Sequence, residues 1–261
     1  MNLGLEGKRA LVLGASRGLG LAIARSLAAE GAEVVLCGRD EAALQAAVAG
    51  ISAQGGRASA ARLDLADAQQ RRATLEQLLA QGKGFDILIN NGGGPAPGAI
   101  SAVEPDSWRQ AFESMIVALF EVTNLVLPGM RERGWGRIIN IVSSGVVQPI
   151  PNLGVSNALR ASVVGWAKTL AAEVAAQGVT VNAVIPGRIA TERVGQLDEA
   201  AAKRGNTTAE AVAEASRKTI PMGRYGNPEE FADTVVFLAS ERASYITGST
   251  VRVDGGMIRS I

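Results

Sequence analysis

"RALVLGASRGLGLAIA", Arg9 to Ala24, is the stretch that decides the fold. An apolar, β-type run reaches Gly14, and an Ala/Leu-rich helical run begins at Gly18. The glycines between and after them, Gly14, Gly18 and Gly20, are spaced G-x-x-x-G-x-G. Glycine permits a tight turn and close approach of the backbone to a bound group. The N-terminus of the helix that follows offers unpaired N–H groups and positive potential, which suit a pyrophosphate. A glycine-rich turn placed after a first strand and opening a helix reads as a dinucleotide site. The competing reading is an ordinary glycine-rich βα turn.

Working outward, short apolar runs alternate with helical stretches. Strands are expected at 9–14, 33–38, 58–64, 86–91, 136–144, 179–186 and 249–256, and helices at 18–30, 40–54, 68–80, 106–133, 156–177 and 228–239. Seven strands with helices between them predict an α/β fold: one Rossmann domain over 1–261, with a doubly wound parallel sheet covered on both faces. The segment 188–219 breaks the pattern. It is long and charged and follows a strand end, where open α/β sheets bind ligands, so it reads as a substrate lid. A helical insertion for surface or subunit contact is the other reading.

Composition narrows the chemistry. The chain has 261 residues, 47% of them apolar, with 26 basic and 25 acidic residues and a formal net charge of +1. That balance leaves no electrostatic footprint for nucleic acid or an anionic membrane. No apolar run is expected to approach membrane-spanning length, and the N-terminus "MNLGLEGKRALVLG" lacks a secretory pattern, so a cytoplasmic location is expected. There is no histidine, hence no His general base and no His-ligated metal. The single cysteine, Cys37, excludes a disulfide within the chain and a thiolate zinc site. Acid–base chemistry falls to carboxylates, lysines or the two tyrosines, Tyr225 and Tyr245.

The second strand run ends "VVLCGRD". An NAD-binding protein usually carries a carboxylate there for the ribose 2′-OH. Here Cys37, Gly38 and Arg39 occupy the strand end, and Arg17 lies inside the glycine loop. Two guanidiniums near the ribose suit a 2′-phosphate, so NADP(H) is read over NAD(H). The alternative is two solvated arginines, with Asp40 beside Arg39.

Further motifs make a resemblance plain. "GASRGLG", "LDLAD", "NNGGG", "GRIINIVSS", "GVTVNAVIPGRIAT", "IPMGRYGNPEE" and "YITGSTVRVDGG" span nearly the whole chain. The sequence resembles the short-chain dehydrogenase/reductase family, and most of all the bacterial 3-oxoacyl-[acyl-carrier-protein] reductases. The resemblance implies a seven-stranded Rossmann sheet and a cofactor site that takes in Gly14, Ser16, Arg17, Gly18, Leu19, Gly20, Arg39, Asp64, Leu65, Asn91 and Gly92. Near the nicotinamide it implies Pro186, Gly187, Ile189 and Thr191, with Arg160 toward the ribose. It also implies homotetramers built on the helices at 106–133 and 156–177. Pro186-Gly187 also reads as a strand-ending turn, and Asn90 and Asn91 as caps of the fourth strand.

The family's chemistry uses a tyrosine that protonates the carbonyl, a lysine one helical turn later, a serine that polarises the carbonyl and an asparagine that holds a relay water. Alignment of the motifs places the serine on Ser143, the tyrosine on Ser156, the lysine on Arg160 and the asparagine on Met115. Only Ser143 matches. An aliphatic hydroxyl is a far weaker acid than a phenol, and a guanidinium holds its proton at physiological pH. Methionine has no donor at all. Ser143 reads as a carbonyl hydrogen-bond donor or as a strand-end cap. Ser156 reads as a helix N-cap before it reads as a catalyst. Arg160 reads as a fixed cation for ribose hydroxyls or an anionic substrate group, aided by Arg188, or else as a surface charge. Tyr225 is the remaining phenol near the lid, and otherwise a packing residue; Tyr245 reads as structural.

Two functions follow. One is an NADP(H)-dependent oxidoreductase of a small carbonyl or alcohol with a divergent catalytic site. The other is a non-catalytic NADP(H)-binding protein, a sensor or a partner subunit in a mixed assembly. Both predict cofactor binding.

Overall fold

The computed structural model describes residues 1–82 and 84–260. Seven strands form one sheet: β1 (Arg9–Val12), β2 (Glu33–Gly38), β3 (Arg57–Arg62), β4 (Ile87–Asn90), β5 (Gly136–Ile141), β6 (Val179–Pro186) and β7 (Thr250–Val253). Their order is β3-β2-β1-β4-β5-β6-β7 and every pairing is parallel. The sequence runs on from β1 to β2 on one side and returns to β4 on the other. That reversal opens a crevice at the carboxyl ends of β1 and β4.

Side chains alternate between the faces of each strand, so two cores arise from the same strands. Leu11, Val35, Leu88 and Ile138 pack with α3 (Ala68–Ala80), α5 (Ala118–Glu132) and α6 (Gly154–Val174). Val12, Val34, Ile89 and Ile139 pack on the other side with α1 (Gly18–Ala29), α2 (Glu41–Ser52) and α9 (Pro228–Leu238). Helix starts follow local chemistry. Asp40 accepts the Ala43 N–H at 3.0 Å and Asp67 the Gln70 N–H at 2.9 Å, capping α2 and α3. Glu230 reaches back to the Asn227 N–H at 2.7 Å to open α9.

The helix expected at 106–133 has three parts: α4 (Pro105–Phe112), a π-helical turn over Glu113–Val117, and α5. The π turn brings Met115 and Ile116 to the buried face. This run also corrects one expectation. By length and composition Pro105–Glu132 is apolar enough to cross a membrane. The cause is its share of core: Met115, Leu119, Val122, Val126 and Met130 all lie under the sheet. The segment at 188–219 holds two helices, α7 (Glu192–Gly205) and α8 (Ala209–Thr219), packed on each other beyond the end of β6.

Candidate functional site

A cleft of about 1580 Å³ opens at the carboxyl ends of the strands, with α7 and α8 along one side. The loop after β1 forms its floor. Gly14 and Gly18 have φ of +59° and +58°, a region disfavoured for residues with a Cβ. A Cβ on Gly20 would stand 2.2 Å from the Gly14 carbonyl oxygen. The loop and the first turn of α1 therefore touch, and only glycine allows it. Arg17 at the N-cap makes no side-chain cap and the first turn of α1 carries no acid. Its N–H groups are left to meet an anion. Ser16 and Leu19 line the same floor.

Two neighbouring asparagines divide the support. The Asn91 Nδ2 donates to the carbonyls of Leu13 and Gly14 at 3.2 Å each, pinning the glycine loop to the end of β4. Asn90 is fully buried and turned into the sheet. Its Nδ2 donates to Thr123 Oγ1 at 3.1 Å and to Asn140 Oδ1 at 2.9 Å, while Asn140 donates to the Asn182 carbonyl. Asn90 is thus part of a polar ladder beneath the cleft.

At the far end of the cleft, Arg39 is exposed and has no ion pair among the described residues. The carboxylate beside it, Asp40, is committed to capping α2. Arg17 differs from expectation: its Nη1 pairs with Glu192 at 3.0 Å, so the glycine loop is tied to the start of α7. Asp64, Leu65 and Gly92 line the adjoining wall. The Asp64 carboxylate accepts the Ala66 N–H at 3.0 Å, and the Leu65 carbonyl accepts from the buried Arg71.

The end of β6 supplies the next wall, with Pro186, Gly187, Ile189 and Thr191 on the cleft. A Cβ on Gly187 would lie 2.5 Å from the Asp254 Cα, so this turn is held tightly against the chain after β7. Ile189 pairs with Gly226 in a parallel bridge. Thr191 precedes α7 without making a side-chain cap, and its Oγ1 donates to the Ile189 carbonyl at 3.3 Å.

The four positions aligned with the family's machinery all reach the cleft: Met115, Ser143, Ser156 and Arg160. Ser143 Oγ accepts the Gly145 N–H at 3.2 Å, capping the short 3-10 turn Ser144–Val146 after β5, and its own O–H is left to donate. The N-cap reading of Ser156 is incorrect. Helix α6 starts at Gly154 with Leu153 at its N-cap, so Ser156 sits inside the first turn, buried, and its hydroxyl makes no hydrogen bond among the described residues. Leu153, the residue before the helix, pairs with Gly98 in a parallel bridge, so the turn into α6 lies upstream of the serine.

Arg160 is neither a surface charge nor free. Its Nη1 donates to the Ile141 carbonyl at 2.8 Å, and its Nη2 to the carbonyls of Gly92 and Gly93 at 3.0 and 3.1 Å. The guanidinium staples the end of β5 to the loop after β4. Burial, with a smaller contribution from the nearby Arg193, pushes its pKa down to about 10, so it remains a cation at neutral pH. Arg188 does not join it. It pairs with Asp198, whose other oxygen accepts the Tyr225 hydroxyl at 2.8 Å. Burial is the main cause that pushes the Tyr225 phenol upward, and its ring is outside the cleft. Tyr225 is a packing residue that fastens α7. Tyr245 is fully exposed and remote from the cleft.

Sequence reasoning missed three features: the Arg17–Glu192 tie, the contact of Arg193 Nη2 with the Pro95 carbonyl at 2.9 Å, and the buried Arg71 beneath Leu65. The first two join segments far apart in the chain, and Arg71 is buried by its partners Glu113 and Glu121 on the distant 105–132 helical run.

Known proteins bear on this geometry. The family model described as enoyl-(acyl carrier protein) reductase matches residues 14–258. The chain is 39% identical to a 3-oxoacyl-[acyl-carrier-protein] reductase of Vibrio harveyi, over 98% of this chain and 99% of that one. It is 38% identical to the 2-keto-3-deoxy-L-fuconate dehydrogenase of Xanthomonas campestris, over 98% of this chain and 81% of that one. Its fold matches the crystal structure of L-sorbose reductase from Gluconobacter frateurii, complexed with NADPH and L-sorbose, with a TM-score of 0.94. That match has 33% identity and covers both chains completely.

Proposed function

The chain belongs to the short-chain dehydrogenase/reductase family, and from that premise we propose that it is a reductase of a small carbonyl compound with a divergent catalytic site. It is an oxidoreductase of the Rossmann type, and its cofactor is NADP(H), as in its structural neighbours. The observation that carries the reading is the cleft itself: one continuous space joins the glycine loop to Ser143 and the end of β6.

The residues fit the cofactor. The Gly14–Gly20 contact leaves bare backbone where a diphosphate would lie. Arg39 suits the 2′-phosphate, and Asp64 and Leu65 stand at the adenine side. Pro186, Gly187, Ile189 and Thr191 would hold the carboxamide end. When bound, the nicotinamide supplies hydride transfer; the protein supplies orientation and electrostatics. Ser143, with its oxygen fixed by Gly145, aims its O–H at a carbonyl. Arg160 stays charged and supports developing negative charge through the rigid loop it holds. Ser156 has a free hydroxyl to order water where relatives place a phenol. The helices α7 and α8 form the lid, held by Arg17, Arg188 and Arg193. We further propose a cytoplasmic homotetramer formed through α4–α5 and α6, whose stacked Phe120 and Trp166 and exposed Phe112 leave apolar surface.

A second reading keeps a specific observation. Arg160 spends three hydrogen bonds on backbone carbonyls, and Met115 and Ser156 supply no acid. This favours a non-catalytic NADP(H)-binding protein, a sensor or partner subunit. Turnover of a panel of ketones and aldehydes with NADPH separates the two. Oxidation of NADPH that depends on a carbonyl supports the reductase; cofactor binding with no turnover across the panel refutes it.

A further inference from the structure

Two arginines hold the same short loop from opposite sides. Arg160 donates to the carbonyls of Gly92 and Gly93, and Arg193, from the first turn of α7, donates to the carbonyl of Pro95. Gly94 lies between: a Cβ there would stand 3.3 Å from Arg193 Nη2. Both guanidiniums line the cleft. Neither has a carboxylate within ion-pair distance among the described residues. The one acid next to them in sequence, Glu192, is taken by Arg17 and by the Gln196 amide. Asp198, the nearest buried acid of the lid, is taken by Arg188 and Tyr225.

Arg160 is half-buried and Arg193 exposed, and both grip the Gly92–Pro95 loop, so their like charges disfavour each other: Arg193 contributes to lowering the Arg160 pKa. Backbone carbonyls accept hydrogen bonds but bring no net charge. Each arginine also retains unused donors, since a guanidinium carries five N–H groups. Around them the cleft is apolar, with Ile150, Leu153, Val194 and Leu197 on its walls. An uncompensated cationic pair on an apolar wall is the chemistry that selects an oxyanion.

We infer that Arg160 and Arg193 form a subsite for an oxyanion group of the substrate, so that the substrate is a carbonyl compound bearing a carboxylate or a phosphate. This inference rests on the reductase reading and names the substrate class for the same cleft. The anion sits beside the Gly92–Pro95 loop, where Arg193 closes on it from the lid. Arg193 is then the specificity residue and Arg160 the fixed half of the pair. Any ligand lacking the charge leaves the two cations uncompensated.

The test is calorimetric titration of protein already saturated with NADP+, which cannot reduce the added carbonyl and whose own phosphates then cannot compete. Acetoacetate is compared with methyl acetoacetate, and dihydroxyacetone phosphate with dihydroxyacetone. The expected result is binding about tenfold tighter for the anion of at least one pair, the size of one charge-assisted hydrogen bond. Which pair shows it distinguishes carboxylate from phosphate. The preference disappears in Arg193→Gln, with thermal unfolding confirming that this variant is folded. Equal affinity for anion and neutral partner in both pairs overturns the inference, as does a preference that survives Arg193→Gln. Anion binding with no NADPH-dependent turnover of any compound in the carbonyl panel would overturn the reductase reading and leave the subsite standing. Turnover of neutral ketones without anion preference would do the reverse.

Discussion

Gly20→Ala tests the cofactor cradle most directly. The new Cβ would stand 2.2 Å from the Gly14 carbonyl oxygen and 2.8 Å from Asn91 Nδ2. An ordinary carbon–oxygen contact is about 3.3–3.6 Å, so the glycine loop must retreat from α1 by roughly 1 Å. Overpacking of this kind costs about 1–3 kcal/mol, offset by about 1 kcal/mol because alanine favours helix over glycine. The net loss of about 0–2 kcal/mol lowers Tm by only a few degrees in a chain of this size. Binding suffers more. A retreat of that size breaks hydrogen bonds from the loop N–H groups to a diphosphate, each worth about 1.5–3 kcal/mol because the acceptor is charged. The Kd for NADPH should therefore rise at least about tenfold per bond lost. Gly50→Ala is the control, since its Cβ meets nothing nearer than Arg25 Nη2 at 3.9 Å on helix α2. That variant should gain about 0.5–1 kcal/mol and bind NADPH normally. Calorimetry and thermal unfolding on the two variants read both quantities. Unchanged NADPH affinity in folded Gly20→Ala would refute the placement of the diphosphate on this loop.

Arg39→Ala should remove most of a preference of about tenfold or more for NADPH over NADH, and Arg17→Ala should remove less, because Arg17 is engaged by Glu192; equal affinity for the two cofactors in the parent protein contradicts the assignment. A pH–rate profile should lack a sharp limb between about pH 6 and 8, because Arg160 titrates at about 10 and burial chiefly raises the Tyr225 phenol; such a limb would reveal an acid or base elsewhere. Arg160→Lys should raise the NADPH Kd and reduce turnover, because one ammonium cannot span the carbonyls of Ile141, Gly92 and Gly93; no change in either measurement would leave Arg160 without a role. Burial pushes the Cys37 thiol up to about 12, so a disulfide reagent at pH 8 should label it only after unfolding. The unfolded chain releases this proton near the usual thiol pKa while the native state keeps it, so Cys37 alone should lower stability by about 1.4 kcal/mol per pH unit above 9; prompt native-state labelling would show the thiol to be accessible.

Some of this protein is written in short stretches of its chain. The alternation of apolar runs with Ala/Leu-rich helices determined a parallel sheet, because the periods of strand and helix are local properties. Strands β2 and β6 and helix α3 begin and end where the pattern places them. The spacing of Gly14, Gly18 and Gly20 located the tight turn between β1 and α1, because backbone conformation and the lack of a Cβ are decided residue by residue. The residues at the four positions aligned with the family's machinery were legible too, though not what they touch. Tertiary structure decided that. Asn90 and Asn91 are adjacent, yet one is buried in a ladder with Thr123 and Asn140 while the other holds the glycine loop. Ser156 has no capping role because α6 already begins at Gly154, just after Leu153 pairs with the distant Gly98. Arg160 found its partners on β5 and after β4, and Arg17 found Glu192 across 175 residues of chain. A guanidinium reaches whatever carbonyl or carboxylate the fold brings near it. Those neighbours are fixed by the packing of distant strands and of α7, and no window of sequence contains them.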